Sequence, residues 1–179
     1  MKTLLVVFAV SVSINFGFSQ NVNTELMAFN TDELSVTKAK PSPTILNSDY
    51  LDKVLDNSMA IHVSTLEKQV SQFDITSVSQ YKGDPKPFQT IFKTNKGAVK
   101  VSYDTTGKII STIEKYKNVK LPNAVRDKVF KTYSEWTLLN VDYQVYYNTN
   151  KKVKKIYLVK IGKGKQKKKI KVNSDGDIL

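Results

Sequence analysis

The sequence contains no cysteine, one histidine and one tryptophan, and only 16 acidic residues against 28 lysines and arginines. Each shortage excludes something. Without cysteine there is no disulfide, no thiolate metal site, no cysteine nucleophile and no lipid anchor at a lipobox, so a secreted chain of this kind must fold on its core alone. A lone histidine, His62, cannot build a multi-histidine metal centre. Long apolar runs are missing too. The best of them, Leu4–Val10 continuing less purely to Phe18, is interrupted by Ser11, Ser13 and Asn15. It falls short of the ~18 consecutive apolar residues that mark a membrane span.

That N-terminal run does match a Sec signal peptide over residues 1–19: one basic residue, an apolar stretch, and a small-x-small end at Gly17-Phe18-Ser19. Cleavage is expected after Ser19, which predicts a periplasmic or secreted protein with no transmembrane segment after processing. The remaining 160 residues, Gln20 to Leu179, suit one domain or two small halves sharing a core. A hydrophobic content of 40% is ordinary. The charge is not: removing Lys2 with the signal leaves 27 basic against 16 acidic residues, a formal +11, which favours attraction to polyanions.

Residues 20–57 show no sustained period and read as a mobile N-terminal segment, interrupted at Lys40-Pro41-Ser42-Pro43. A short strand is expected near Leu26–Phe29 and a brief helical cluster at Tyr50, Leu51, Val54 and Leu55. From residue 58 the pattern sharpens. Val63, Leu66, Val70 and Phe73 form one face of a helix, with Glu67, Lys68 and Gln72 turned elsewhere. Gly83-Asp84-Pro85-Lys86-Pro87 is a loop. A period of two then takes over in Phe88, Thr90 and Phe92, and Asn95-Lys96-Gly97 turns the chain into Val99, Val101 and Tyr103. Asp104–Gly107 is a second turn and Ile109–Tyr116 a third strand.

Pro122 fits the first turn of a second helix, where its missing N–H costs nothing. The buried stripe there is Leu121, Val125, Val129 and Tyr133, with Ala124 and Phe130 beside them, and Trp136 closes that end of the core. Strands resume over Val141–Tyr147, Val153–Ile161 and Lys167–Val172. Two offsets align the halves: Leu66, Val70 and Phe73 onto Val129, Tyr133 and Trp136 at 63 residues, and Gly107–Ile110 onto Gly176–Leu179 at 69. The predicted fold is therefore α+β, with two tandem helix–three-strand units, about 58–117 and 118–179. Neither could bury its sheet face alone, so they should share one antiparallel sheet with both helices on one face.

The strings Y-D-T-T-G-K-I-I, K-L-P-N-A-V-R-D-K-V-F-K-T-Y, Y-Q-V-Y-Y and K-V-N-S-D-G-D-I-L resemble the PepSY-like proteins of β-lactamase-inhibitor-protein-like fold. The similarity covers about Val63 to Leu179 and rests on turn and core positions: Gly107, Leu121, Pro122, Val125, Tyr133, Tyr143 and Gly176. It implies a small secreted or periplasmic protein with a non-catalytic binding role, inhibiting or sequestering an envelope protein. A similar subgroup carries the label nicotinate-nucleotide adenylyltransferase. Those enzymes share an H-x-G-H phosphate site, whereas His62 lies in Ile61-His62-Val63-Ser64 with neither the glycine nor a second histidine. Ile110–Lys115 only loosely echoes their I-S-S-T-x-x-R segment, and an amphipathic strand explains it.

No serine sits in a G-x-S-x-G elbow. Asp175-Gly176-Asp177 lacks the other ligands of a calcium loop and reads as a turn. Glu114 and Glu135 carry no feature that singles them out as a carboxylate pair. The sequence therefore assigns no catalytic, cofactor-binding or metal residue and implies no cofactor.

What stands out is the lysine-rich end, eleven lysines and no acid between Lys151 and Lys171. Alternation puts Lys167, Lys169 and Lys171 on one strand face, opposite Lys168, Ile170 and Val172. Lys151, Lys154 and Lys160 extend the patch and Tyr146 is interleaved with it. These residues are the candidate surface for an anionic polymer or an acidic partner. The plainer reading is a solvated face whose edge lysines discourage strand pairing. Lysines give diffuse point charges, and no RNA-binding motif or DNA-reading helix accompanies them, so specific nucleic-acid binding is not expected.

Overall fold

A computed structural model describes residues 46–179. The signal peptide, its cleavage site, the strand expected near Leu26–Phe29 and the N-terminal segment up to residue 45 lie outside the described residues. Three α-helices accompany six strands: α1 (Ser48–Val54), α2 (Ile61–Gln72), β1 (Phe88–Lys93), β2 (Gly97–Tyr103), β3 (Ile109–Tyr116), α3 (Asn123–Thr132), β4 (Thr137–Asn148), β5 (Lys151–Lys163) and β6 (Gln166–Asn173). The strands form one antiparallel sheet in sequence order. This is the expected α+β architecture, two helix-plus-strand units sharing a six-stranded sheet.

Alternation decides which face is covered. Phe92, Val99, Val101, Tyr103, Val141, Tyr143, Val145, Tyr157, Val159, Ile161, Ile170 and Val172 turn inward and are buried. The helices supply Val63, Leu66 and Val70 from α2 and Val125 and Val129 from α3 to the same core. In register across β3, β4 and β5, Tyr116 stacks on Tyr143 and Tyr143 on Tyr157, with ring centroids 6.1 and 5.0 Å apart. The backbone of Gly97 lies beneath this ladder. A Cβ there would come within 2.6 Å of the Tyr116 ring.

The helical cluster at Tyr50, Leu51 and Val54 belongs to this core rather than to a peripheral segment. It forms α1, and all three side chains are buried. Glu67 departs from expectation as well, being buried in the stripe of α2. It follows Leu66 at the i+4 position from Val63, inside the width of stripe a core-facing helix presents. Ala124 is exposed on α3, while Phe130, Tyr133 and Trp136 are half-buried. Trp136 meets Tyr133 edge-on at 6.1 Å and packs against the core.

The two halves repeat at atomic detail in one place. The Asp104 carboxylate accepts from the amides of Thr106 and Lys108 at 2.8 and 3.0 Å. The amide oxygen of Asn173 accepts from Asp175 and Asp177 at 3.0 and 2.8 Å. Gly107 and Gly176 follow at φ 82° and 87°, a region that favours glycine. This equivalence aligns the β1–β2 hairpin with β5–β6. The counterpart of β3 is then the stub at Ile178, which bridges to Val172.

Candidate functional site

The face of the sheet opposite the helices carries the lysines. On β6, Lys167, Lys169 and Lys171 point outward and are exposed, while Ile170 and Val172 are buried beneath them. Lys160 of β5 pairs with Lys169, and Leu158 with Lys171. Farther along β5, Lys154 pairs with Tyr146. A bulge between Tyr146 and Asn148 sets Lys151 opposite Asn148, which returns it to the outer side. All seven residues anticipated from the sequence thus share one face. They do not form one tight cluster: Lys160 lies six positions beyond Lys154 along β5, roughly 20 Å.

Sequence reasoning missed the extent of this face. Register places Lys100, Ile113 and Tyr146 side by side across β2, β3 and β4, with Ile91 flanking Lys100 on β1. Lys93 and Lys115 extend the positive field beyond the run at 151–171. Between the lysines lies an apolar strip of Ile113, Ile156 and Leu158, of which Ile113 is 43% exposed. One acid, Asp142, occupies the outward positions of the six strands. The signal for the wider face was available in the strict alternation of β1–β3, but the lysines there are too sparse to attract notice alone.

A second feature lies under the helices. Glu114 is wholly buried and its carboxylate accepts three hydrogen bonds, from Tyr50 at 2.9 Å, Thr112 at 2.7 Å and Tyr116 at 2.7 Å. Burial pushes its pKa up, and the three donors pull against that shift. Burial also raises the tyrosines, Tyr50 and Tyr116 further because the Glu114 charge opposes a phenolate beside it. Glu67 is equally buried, yet neither carboxyl oxygen has a hydrogen-bond partner. Burial, then the neighbouring Glu114, lifts its pKa to about 8, with Lys155 opposing. The hydroxyls of Tyr103 and Tyr143 also lack partners. With Glu67 1% and Glu114 0% exposed, the pair as folded is a polar piece of the core.

The remaining acids have ordinary settings. Glu135 is exposed and pairs with Lys163, and Asp177 pairs with Lys128 at 3.5 Å. Among the described residues no group of three or more His, Asp or Glu is placed to hold a metal ion. No helix among them is long and apolar enough to cross a membrane. Comparisons with protein-family models, with curated proteins and with solved structures find no match to this chain.

Proposed function

We propose that this chain is a secreted or periplasmic binding module of PepSY-like type, without catalysis, which engages an anionic surface polymer through the sheet face opposite its described helices. One observation carries the reading: the seven lysine and tyrosine positions share the face opposite the described helices, and among the described residues Asp142 is the only acid at the outward positions of the strands. A field of like charges held on a rigid sheet raises the local concentration of an oppositely charged chain, at some cost from self-repulsion. The duplicated helix-and-strand architecture and the signal-like N-terminus support the family and the address. An acidic envelope protein would meet the same surface, but the breadth of the lysine field favours an extended, repeating partner.

Binding of the purified protein to polyanions at increasing salt tests this. Affinity should fall about tenfold or more between 50 and 300 mM salt, as expected when several lysines release counterions. The triple substitution Lys167→Glu, Lys169→Glu and Lys171→Glu should remove it. Salt-independent binding, or binding that survives the triple change, would sink the proposal. Incubation with ATP and nicotinate mononucleotide should yield no dinucleotide, and clear turnover would instead favour the adenylyltransferase reading.

A further inference from the structure

Within the lysine face one depression, of about 310 Å³ between β4, β5 and β6, differs from its surroundings. Lys160, Lys167, Lys168 and Lys169 line it, the Lys168 ammonium sitting 4.9 Å from the Tyr133 ring centroid, with Leu158 at the floor and Asn140 and Asp142 along one side. Asn140 donates to one oxygen of the Asp142 carboxylate at 3.0 Å. The second oxygen has no hydrogen bond or ion pair among the described residues, although Asn140 and Asp142 stand in register with Lys160 and Leu158. Besides Lys168, the depression therefore offers three cations, two oxygen acceptors and an apolar floor.

That mixture selects among polyanions. A nucleic acid or polyphosphate backbone presents acceptor oxygens, and Asp142 would repel it. Bases would seek aromatic faces, and this depression has none among its lining residues. Specific phosphate forks are built with arginine, and the only arginine in the chain, Arg126, lies on α3. An acidic sugar presents what the site lacks: a carboxylate for the lysines, hydroxyl protons for Asp142 and the Asn140 amide oxygen, and a C–H face for Leu158. We infer that this depression is a subsite for a uronate-type sugar of a linear acidic glycan. The inference rests on the open-face reading and names its ligand class.

The test is titration of the full chain and its variants with hexagalacturonate and, separately, with a twelve-residue oligothymidylate. For the sugar, Asp142→Asn should weaken binding about tenfold, the loss expected when a charged acceptor is removed. For the oligonucleotide the same change should strengthen binding a few-fold, because it deletes a negative charge. Opposite signs for the two ligands are the expected result. If Asp142→Asn tightens both, or leaves the sugar unaffected, the uronate subsite is refuted, as it is if only the oligonucleotide binds. In those cases the open-face reading still stands, provided the triple lysine reversal abolishes binding. If the triple reversal changes neither ligand, the open-face reading itself falls.

Discussion

Replacing Glu67 by glutamine should make the protein more stable and remove part of its pH dependence. The ordinary pKa of this carboxyl is 4.5 and its folded value is about 8. A folded pKa raised above the unfolded one means that the native state binds the proton more tightly. Stability is then fully present below pH 4.5 and is lost as pH rises towards 8. At about 1.36 kcal/mol per unit, the whole span is worth about 5 kcal/mol, of which about 3 kcal/mol is already lost at pH 7. Glutamine keeps the volume and cannot ionise, so the variant should exceed the parent by about 3 kcal/mol at pH 7 and by little at pH 4. Urea unfolding followed by Trp136 fluorescence at pH 4, 5, 6, 7 and 8 measures this directly. Glu114 contributes a slope of the same sign, so the informative quantity is the difference between the two proteins. Parallel curves with no growing gap would refute the reasoning.

Other substitutions probe the same core and the repeated turns. Glu114→Ala strands the hydroxyls of Tyr50, Thr112 and Tyr116 and leaves a cavity, and should cost about 3–5 kcal/mol in denaturant unfolding. Gly97→Ala forces the Tyr116 ring to shift and should cost about 1–3 kcal/mol, with altered tyrosine near-ultraviolet dichroism. Asp104→Ala should cost about 1–2 kcal/mol through two lost backbone hydrogen bonds. Asp104→Asn should cost under about 1 kcal/mol, because Asn173 holds the equivalent turn with an amide oxygen.

Much of the fold was legible because its apolar residues keep one period per element. Phe88, Thr90 and Phe92 announce a strand, and Val63, Leu66 and Val70 announce a helix. The turns were legible through Gly107 and Gly176, whose positive φ few other residues tolerate. What escaped was the polar interior. A glutamate on a helix or strand reads as solvent-facing, since carboxylates are seldom fully buried without a partner. Glu114 breaks that expectation because Tyr50 arrives from an element 64 residues earlier in the chain, a distance no local pattern spans. Lys154, Lys160, Lys167, Lys169 and Lys171 were visible from alternation on β5 and β6, whereas Lys151 joins that face only through a bulge and Tyr146 through the pairing of β4 with β5. The depression beside Asp142 was not, because it depends on the register between β4 and β5.

That register separates two adjacent lysines into opposite roles. Lys154 faces outward beside Tyr146, whereas Lys155 lies on the inner side, where its charge opposes the upward shifts of Glu67 and Glu114. Lys155→Met keeps most of the apolar stem and removes the cation, so both carboxyls should hold their protons to higher pH. The variant should match the parent at pH 5, where Glu67 is protonated in the native state, and fall behind it progressively above pH 8. Lys154→Met, one residue away, should leave that profile unchanged and weaken only polyanion binding. An equal loss of stability at pH 5 and pH 9 in Lys155→Met would mean that the lysine serves the core through packing, and that its charge does not govern the buried pair.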